Sequence, residues 1–119
     1  MHANDKSVKE MRKTERFDVT AVVRIIDIPT GRDIGQLVNI SEEGIMIMGN
    51  ESIADNSIMQ LSLVFDSSSG SIPDISIGVE SLWSQSGSED AKYWTGFYII
   101  DISEQNAERI KNMVSSSPM

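Results

Sequence analysis

The chain has 119 residues, no cysteine, one histidine and a formal net charge of −8 at pH 7. This length suits one domain with its own core, and the missing thiols exclude a disulfide framework, a cysteine nucleophile and a cysteine zinc site. No apolar run approaches the roughly 20 residues of a membrane-spanning helix, and the N-terminus lacks the apolar core of a secretory signal. We therefore expect a cytoplasmic protein.

The negative charge argues against a partner made of DNA or RNA, because a nucleic-acid binder needs a basic face. The charge is, however, unevenly distributed along the chain. Residues 1–16 hold five basic and three acidic side chains, whereas residues 17–119 hold five basic and fifteen acidic ones. Since charges more than about 8 Å apart are largely screened at physiological salt, the basic N-terminal segment can still bind a small anion.

Residues 1–15 are polar, without aromatic side chains and with only scattered apolar positions. This composition predicts a flexible basic arm, disordered or weakly helical in the absence of a partner. The character of the sequence changes at Phe17, where β-branched residues begin. We expect residues 16–119 to form a single domain.

Six short segments then have the composition or the alternation of β-strands, separated by turn-rich stretches. In chain order they read "FDVTAVVRIIDI", "IGQLVNI", "GIMIMG", "MQLSLVF", "ISIGVESLW" and "YWTGFYII". The first turn, "PTGRD", contains Pro29, which fixes φ, and Gly31, which permits a positive φ. "GIMIMG" is apolar on both faces, which predicts a central position in the sheet.

The alternation also predicts which side chains point inward. The expected inward positions are Phe17, Val19, Ala21, Val23 and Ile25 in the first strand, Met59, Leu61, Leu63 and Phe65 in the fourth, and Ile75, Ile77, Val79 and Trp83 in the fifth.

The last segment, "DISEQNAERIKNMV", changes to helical spacing at Ala107, Ile110 and Val114. Ser103 is a candidate N-cap for this helix; alternatively, Asp101 and Glu104 form a capping box. The predicted fold is therefore all-β: a small six-stranded antiparallel barrel or a sandwich, followed by a C-terminal helix.

Two short motifs carry the candidate chemistry. The arm contains Arg12 and Arg16 in an RxxxR pattern, and "NISEEG" supplies Asn39, Ser41 and Gly44 in an (Asp/Asn)-x-Ser-x-x-Gly pattern. An arginine fork can hold a phosphate or a guanine edge through two parallel hydrogen bonds. Asn39 and Ser41 offer an amide and a hydroxyl to base edges or phosphate oxygens. The glycine permits a tight turn or a close approach of backbone to ligand.

With both motifs in this order, the sequence resembles the PilZ domain family, whose members bind the bacterial second messenger cyclic di-GMP. The resemblance extends from Arg12 through the six strands to the closing helix, and it selects the barrel over the sandwich. It implies that the ligand is bound by Arg12, Arg16, Asn39, Ser41 and Gly44. Met11 stands where many members that hold an intercalated ligand dimer carry another arginine, so we expect one ligand molecule per chain.

Two further residues are possible ligand contacts. Lys13 could attract phosphate, although a solvated lysine fits the sequence equally well. Trp83 could stack on a guanine from a strand end, although a half-buried core position suits a tryptophan there better. The motif residues also have plainer interpretations: Arg12 and Arg16 as a solvated pair four residues apart, and Asn39 and Ser41 as turn caps with Gly44 at a positive φ.

The resemblance implies a non-catalytic receptor for cyclic di-GMP that orders its arm on binding and signals to an unidentified effector protein, in motility or biofilm regulation. The alternative is a structural or docking module of the same fold that does not bind nucleotide. An enzyme is not expected, because the only histidine, His2, lies near the terminus and the acidic residues show no paired arrangement. We expect neither a metal nor a cofactor.

Overall fold

The computed structural model describes residues 17–18, 22–65, 72–87 and 92–115, with only the backbone at 17, 18 and 115. The predicted arm, including Arg12, Lys13 and Arg16, lies outside the described residues. The elements are β1 (Phe17–Asp18), β2 (Val23–Asp27), β3 (Arg32–Ile40), β4 (Gly44–Gly49), β5 (Ile58–Phe65), β6 (Ile75–Ser86), β7 (Tyr93–Asp101) and α1 (Glu104–Ser115).

Six of these strands close into an antiparallel barrel in the order β2, β3, β4, β7, β6, β5 and back to β2. The two-residue strand β1 is added to the end of β3, where Phe17 pairs with Ile40 and Asp18 with Asn39. The prediction of a six-stranded barrel with a C-terminal helix is therefore confirmed. The predicted central position of β4 also holds, since β4 pairs with β3 and β7.

The barrel interior follows the period-2 alternation of the strands, as a half-buried sheet requires. Leu61 and Leu63 are completely buried, as predicted for β5, and Met59 and Phe65 pack against the core from the same strand. The remaining core side chains are Val23, Ile25, Leu37, Ile40, Ile45, Ile47, Ile75, Ile77, Val79, Phe97, Ile110 and Val114.

The first predicted strand is divided into β1 and β2, which pair with different parts of β3. Val23 and Ile25 point inward as predicted, whereas Val19 and Ala21 lie outside the described residues. The predicted turn between β2 and β3 is present. Gly31 has a φ of +74° and donates its N–H to the carbonyl of Asp27 at 2.7 Å.

The prediction that Trp83 faces the core is wrong. β6 has a β-bulge at this point, because Ser81 pairs with Phe97 while Trp83 already pairs with Gly96. The extra residue, Leu82, reverses the alternation, so Ser81 is fully buried and Trp83 is on the outer wall with 39% of its surface exposed. A bulge of this kind re-aims the side chains that follow it.

The helix α1 covers the end of the barrel where β6 begins and β7 ends. Ser103 is its N-cap, with its Oγ accepting a hydrogen bond from the N–H of Asn106 at 3.1 Å. The predicted helical face is confirmed at Ile110 and Val114, which are buried in the core, with Ala107 half-buried. Arg109 ties the helix to the segment before β6 by donating to the carbonyls of Pro73 and Asp74.

Candidate functional site

The (Asp/Asn)-x-Ser-x-x-Gly motif forms the corner between β3 and β4, and Ser41 holds this corner together. Its Oγ accepts hydrogen bonds from the N–H groups of Glu43, at 3.3 Å, and Gly44, at 3.1 Å. The same hydroxyl donates to the carbonyl of Gly44 at 3.3 Å. Because a serine hydroxyl has one donor and two acceptor positions, all of its capacity is used within the turn.

Gly44 is required by the close approach of two strands. Its φ is not positive, so the interpretation as a left-handed turn residue is wrong. A Cβ at this position would instead collide with the backbone carbonyl oxygen of Phe97 in β7. The next contact along this seam is the hydrogen bond from the N–H of Ile99 to the carbonyl of Glu43, at 2.8 Å. Gly44 therefore lets β4 pair tightly with β7 at the corner.

Asn39 is the unusual member of the motif, because it is buried and its side chain has no partner among the described residues. Only 8% of its surface is exposed, and its side-chain amide makes no hydrogen bond to any described residue. Buried amides normally have hydrogen-bond partners, since losing water without compensation is costly. An amide in this state can accept and donate hydrogen bonds to a polar ligand that reaches it.

The strand register aligns Asn39 with Trp83 along one row of the barrel wall. Asn39 pairs with Met46, Met46 with Gly96, and Gly96 with Trp83. Directly paired residues project on the same face of a sheet, and Ile40, Ile45 and Phe97 of the neighbouring row are buried inside. The row from Asn39 to Trp83 therefore belongs to the outer wall and spans three strand spacings, about 14 Å.

Trp83 lies directly against Gly96 in this row. A Cβ on residue 96 would be 2.6 Å from Cε2 of the indole, which real side chains do not tolerate. The missing side chain at Gly96 thus makes room for the ring. Met46 and Gly96 were not predicted as members of this surface, although a glycine within a strand often indicates a close approach of this kind.

Among the residues that the structure describes, positive charge is scarce around the row. Of the five basic residues after position 16, Arg24, Arg32 and Lys92 line a cavity at the opposite end of the barrel, and Arg109 and Lys111 belong to α1. At the corner itself, Glu42 and Glu43 are exposed. Arg12, Lys13 and Arg16 lie outside the described residues, so their contacts with Asn39, Ser41 or Gly44 stay a prediction. In sequence, Arg16 immediately precedes Phe17, which pairs with Ile40.

The cavity at the opposite end has a volume of about 520 Å³ and does not include the motif residues. Its basic groups are already engaged: Arg24 binds Asp33 through two hydrogen bonds of 2.7 and 2.8 Å, and Arg32 binds Glu51 at 3.0 Å. The hydrogen bonds from Arg24, helped by the N–H of Gly35, lower the pKa of Asp33. The same pair raises the pKa of Arg24.

Within the described ranges, no group of three or more His, Asp or Glu side chains could hold a metal ion. Among those residues there is also no helix with the length and apolar character needed to cross a membrane.

The chain is similar in sequence and in fold to proteins with a PilZ domain. The sequence profile of the PilZ domain matches residues 10–116. No curated protein sequence matches significantly. Among solved structures, the inhibitor of motility MotI/DgrA from Bacillus subtilis superposes with a TM-score of 0.69 at 15% identity, covering 88% of this chain and 49% of that one. This chain thus spans about half the length of the Bacillus subtilis protein.

A second solved structure, the PilZ domain with c-di-GMP of YcgR from Escherichia coli, superposes with a TM-score of 0.64 at 8% identity. The alignment covers 88% of this chain and 89% of that domain. At these identities the two likenesses establish the fold.

Proposed function

Because the chain belongs to the PilZ domain family, we propose that it is a non-catalytic receptor for cyclic di-GMP. The proposed site joins the β3–β4 corner, the outer row from Asn39 to Trp83, and the arginines of the preceding segment. The observation that carries the proposal is the buried amide of Asn39, which has no partner among the described residues. A guanine edge or a phosphate oxygen would satisfy it.

The distribution of positive charge supports a role for Arg12 and Arg16 in binding the phosphates. A ligand with two phosphodiester charges needs cations, and the described cations lie at the far end of the barrel or on α1. Arg12 and Arg16, with Lys13, are therefore the proposed source of positive charge. β1 supports this arrangement, because the pairing of Asp18 with Asn39 brings the chain to the corner two residues after Arg16.

The roles of Ser41 and Gly44 follow from their contacts. Ser41 uses its hydroxyl to hold the N–H groups of Glu43 and Gly44, and Gly44 keeps the corner against β7. We assign them to the site as residues that shape it. Trp83 is the proposed stacking surface for one guanine, since its indole is on the outer wall and partly exposed.

In the proposed mechanism, residues 1–15 form an arm that is mobile without ligand, and residues 16–119 form the receptor domain. Cyclic di-GMP bridges Arg12 and Arg16 to the Asn39 corner, with one ligand molecule per chain. A ligand that binds the closed arrangement better shifts the population towards it. The closed arm then changes the surface offered to an effector protein in the cytoplasm, in the control of motility or biofilm formation.

The competing function is a docking module of the same fold that does not bind nucleotide. The exposed carboxylates of Glu42 and Glu43 favour it, because they stand beside the proposed site of a dianion. Thermal unfolding with cyclic di-GMP separates the two functions. A receptor gains about 2.7 kcal/mol of stability at a ligand concentration of 100 Kd. GMP at the same concentration is the matched control and should not give this gain. An unchanged unfolding temperature with cyclic di-GMP would favour the docking module.

A further inference from the structure

We propose that the outer wall of β5, β6 and β7 docks a basic amphipathic helix of a partner protein. Four large apolar side chains form this surface, here termed the outer patch: Ile58, Leu82, Tyr98 and Ile100. Their exposed fractions are 62%, 50%, 47% and 46%. The idea that the outer patch transmits the signal of a cyclic di-GMP receptor rests on the proposed function. The idea that it docks a partner helix does not depend on nucleotide binding.

The strand register makes the outer patch continuous. Ile58 pairs with Glu80, and Glu80 pairs with Tyr98, so these three side chains share one row. Leu82 and Ile100 are the extra residues at the two register shifts between β6 and β7. The bulge in β6 is therefore what turns Leu82 outward, beside Trp83. Apolar side chains grouped in this way on an outer wall are typical of an interaction site.

Carboxylates surround the outer patch and lie within it. Glu80 stands between Ile58 and Tyr98, and Asp101 follows Ile100 in the chain. Glu43 adjoins β7 through its carbonyl, which accepts the N–H of Ile99. Asp55 is next to Asn56 in the chain, and the N–H of Asn56 donates to the carbonyl of Ser81, the residue before Leu82. None of these four carboxylates forms an ion pair with another described residue, so they are available to a cationic partner.

The architecture selects a helix as the occupant. Each of β5, β6 and β7 is paired on both sides, so a partner strand cannot add to this part of the sheet. The three strands span two strand spacings, close to 10 Å, which is about the diameter of one helix. The carboxylates disfavour a second copy of the same surface and an anionic membrane. A helix with an apolar stripe flanked by lysine or arginine matches both the apolar and the charged groups.

A labelled synthetic helix tests the proposal. The probe is a fluorescein-labelled peptide of about 14 leucine and lysine residues in amphipathic order, roughly four helical turns. Its binding to the full chain is followed by fluorescence anisotropy. The matched variants are Leu82→Ser, in the outer patch, and Val22→Ser, an exposed position just before β2, where Val23 pairs with Phe65 at the end of β5 farthest from Ile58. Both keep the net charge, and circular dichroism checks that both are folded.

We expect Leu82→Ser to weaken peptide binding by about tenfold, as for loss of a central anchor, and Val22→Ser to leave it unchanged. Glu80→Gln should weaken it by about threefold, less at high salt. Equal effects of Leu82→Ser and Val22→Ser, or no peptide binding, would overturn the proposal. Equal binding of a leucine–glutamate peptide would also overturn it, because the partner would then not need to be basic. Dimerisation that Leu82→Ser abolishes would indicate a second copy of the chain as the occupant. Binding to vesicles containing phosphatidylglycerol that depends on Leu82 would indicate a membrane.

The measurement is made with and without cyclic di-GMP, whose own binding is measured by calorimetry on the same samples. Peptide binding without nucleotide binding would support the outer patch and refute the receptor function. Nucleotide binding without peptide binding would support the receptor function and refute the outer patch as a docking surface.

Discussion

The indole of Trp83 occupies the space that a side chain at position 96 would fill, with Cε2 2.6 Å from the position of a Cβ on Gly96. This contact fixes where an aromatic surface lies on the outer wall: the indole is against Gly96, which is one strand from Met46 and two from Asn39. A change at Gly96 therefore alters Trp83 without touching the corner motif.

We predict that Gly96→Ala displaces the indole and destabilises the protein by about 1–3 kcal/mol, the usual cost of overpacking. Affinity for cyclic di-GMP should fall as well, because the proposed stacking surface has moved. Urea unfolding, tryptophan emission and calorimetry measure the three effects. An alanine variant with unchanged emission and unchanged affinity would contradict the role given to Trp83.

Gly44→Ala should be severely destabilising, by about 2–4 kcal/mol, because its Cβ meets a backbone carbonyl that cannot move aside. Gly31→Asn is the matched control. At Gly31 nothing lies within 4 Å of an added Cβ, and asparagine tolerates its positive φ. Urea unfolding of both variants tests the difference. Similar losses in the two variants would show that the seam between β4 and β7 is not what requires a glycine.

Ser41→Ala should act on the corner more than on the ligand directly. The N–H groups of Glu43 and Gly44 lose their acceptor. Because both hydrogen bonds are only partly buried, we expect a loss of about 1 kcal/mol of stability. Ser41→Thr keeps a hydroxyl and is the control. If alanine lowers ligand affinity while urea unfolding shows full stability, the hydroxyl contacts the ligand, and our assignment of its hydrogen bonds is incorrect.

The pair formed by Arg24 and Asp33 should make a small, pH-dependent contribution to stability. The hydrogen bonds from Arg24 lower the pKa of Asp33 in the folded protein. The stabilisation is therefore fully present above the ordinary aspartate pKa of about 3.9 and is lost as pH falls through the lower, folded value. Both side chains are about 40% exposed, so solvent screening limits the pair to roughly 0.2–1 kcal/mol.

Urea unfolding of wild type and Asp33→Asn at several pH values tests this prediction. Wild type should be the more stable at pH 7, and the difference should shrink steadily below about pH 4. A difference that grows as the solution becomes more acidic would contradict the assigned direction of the pKa shift.

Much of the fold could be predicted from the sequence, because the signals are local. Alternation predicted the inward faces of β5 and the first half of β6. The sequence offered two possible caps for α1, of which Ser103 is the one observed. The prediction failed at Trp83, because a bulge at Leu82 depends on how β6 pairs with β7. The alternation of apolar and polar residues within β6 does not reveal how this strand pairs with its neighbour.

The candidate site was predictable as a motif but not as a surface. Asn39, Ser41 and Gly44 were identified from their spacing, whereas their different contacts were not. The internal hydrogen bonds of Ser41 and the contact of Gly44 with Phe97 depend on neighbouring backbone. The row that joins Asn39 to Met46, Gly96 and Trp83 depends on the strand order of the closed barrel, which places β4 between β3 and β7.

Arg16→Ala should weaken cyclic di-GMP binding by about 2–5 kcal/mol, as for truncation of one member of a hydrogen-bonded charge pair. Arg24→Ala is the matched control, since Arg24 lies at the far end of the barrel and binds Asp33. Calorimetry should show unchanged affinity for the control. Equal losses in both variants would indicate a general effect of charge, and no loss in Arg16→Ala would remove this residue from the site.

Titration of the ¹⁵N-labelled protein with cyclic di-GMP tests the central claim most directly. We expect the amide signals of residues 9–18 and of the corner from Asn39 to Gly44 to shift together, along with the indole N–H of Trp83. Signals of Arg32 and Glu51, at the opposite end, should stay in place. No shifts at saturating ligand, or shifts confined to that opposite end, would contradict the account.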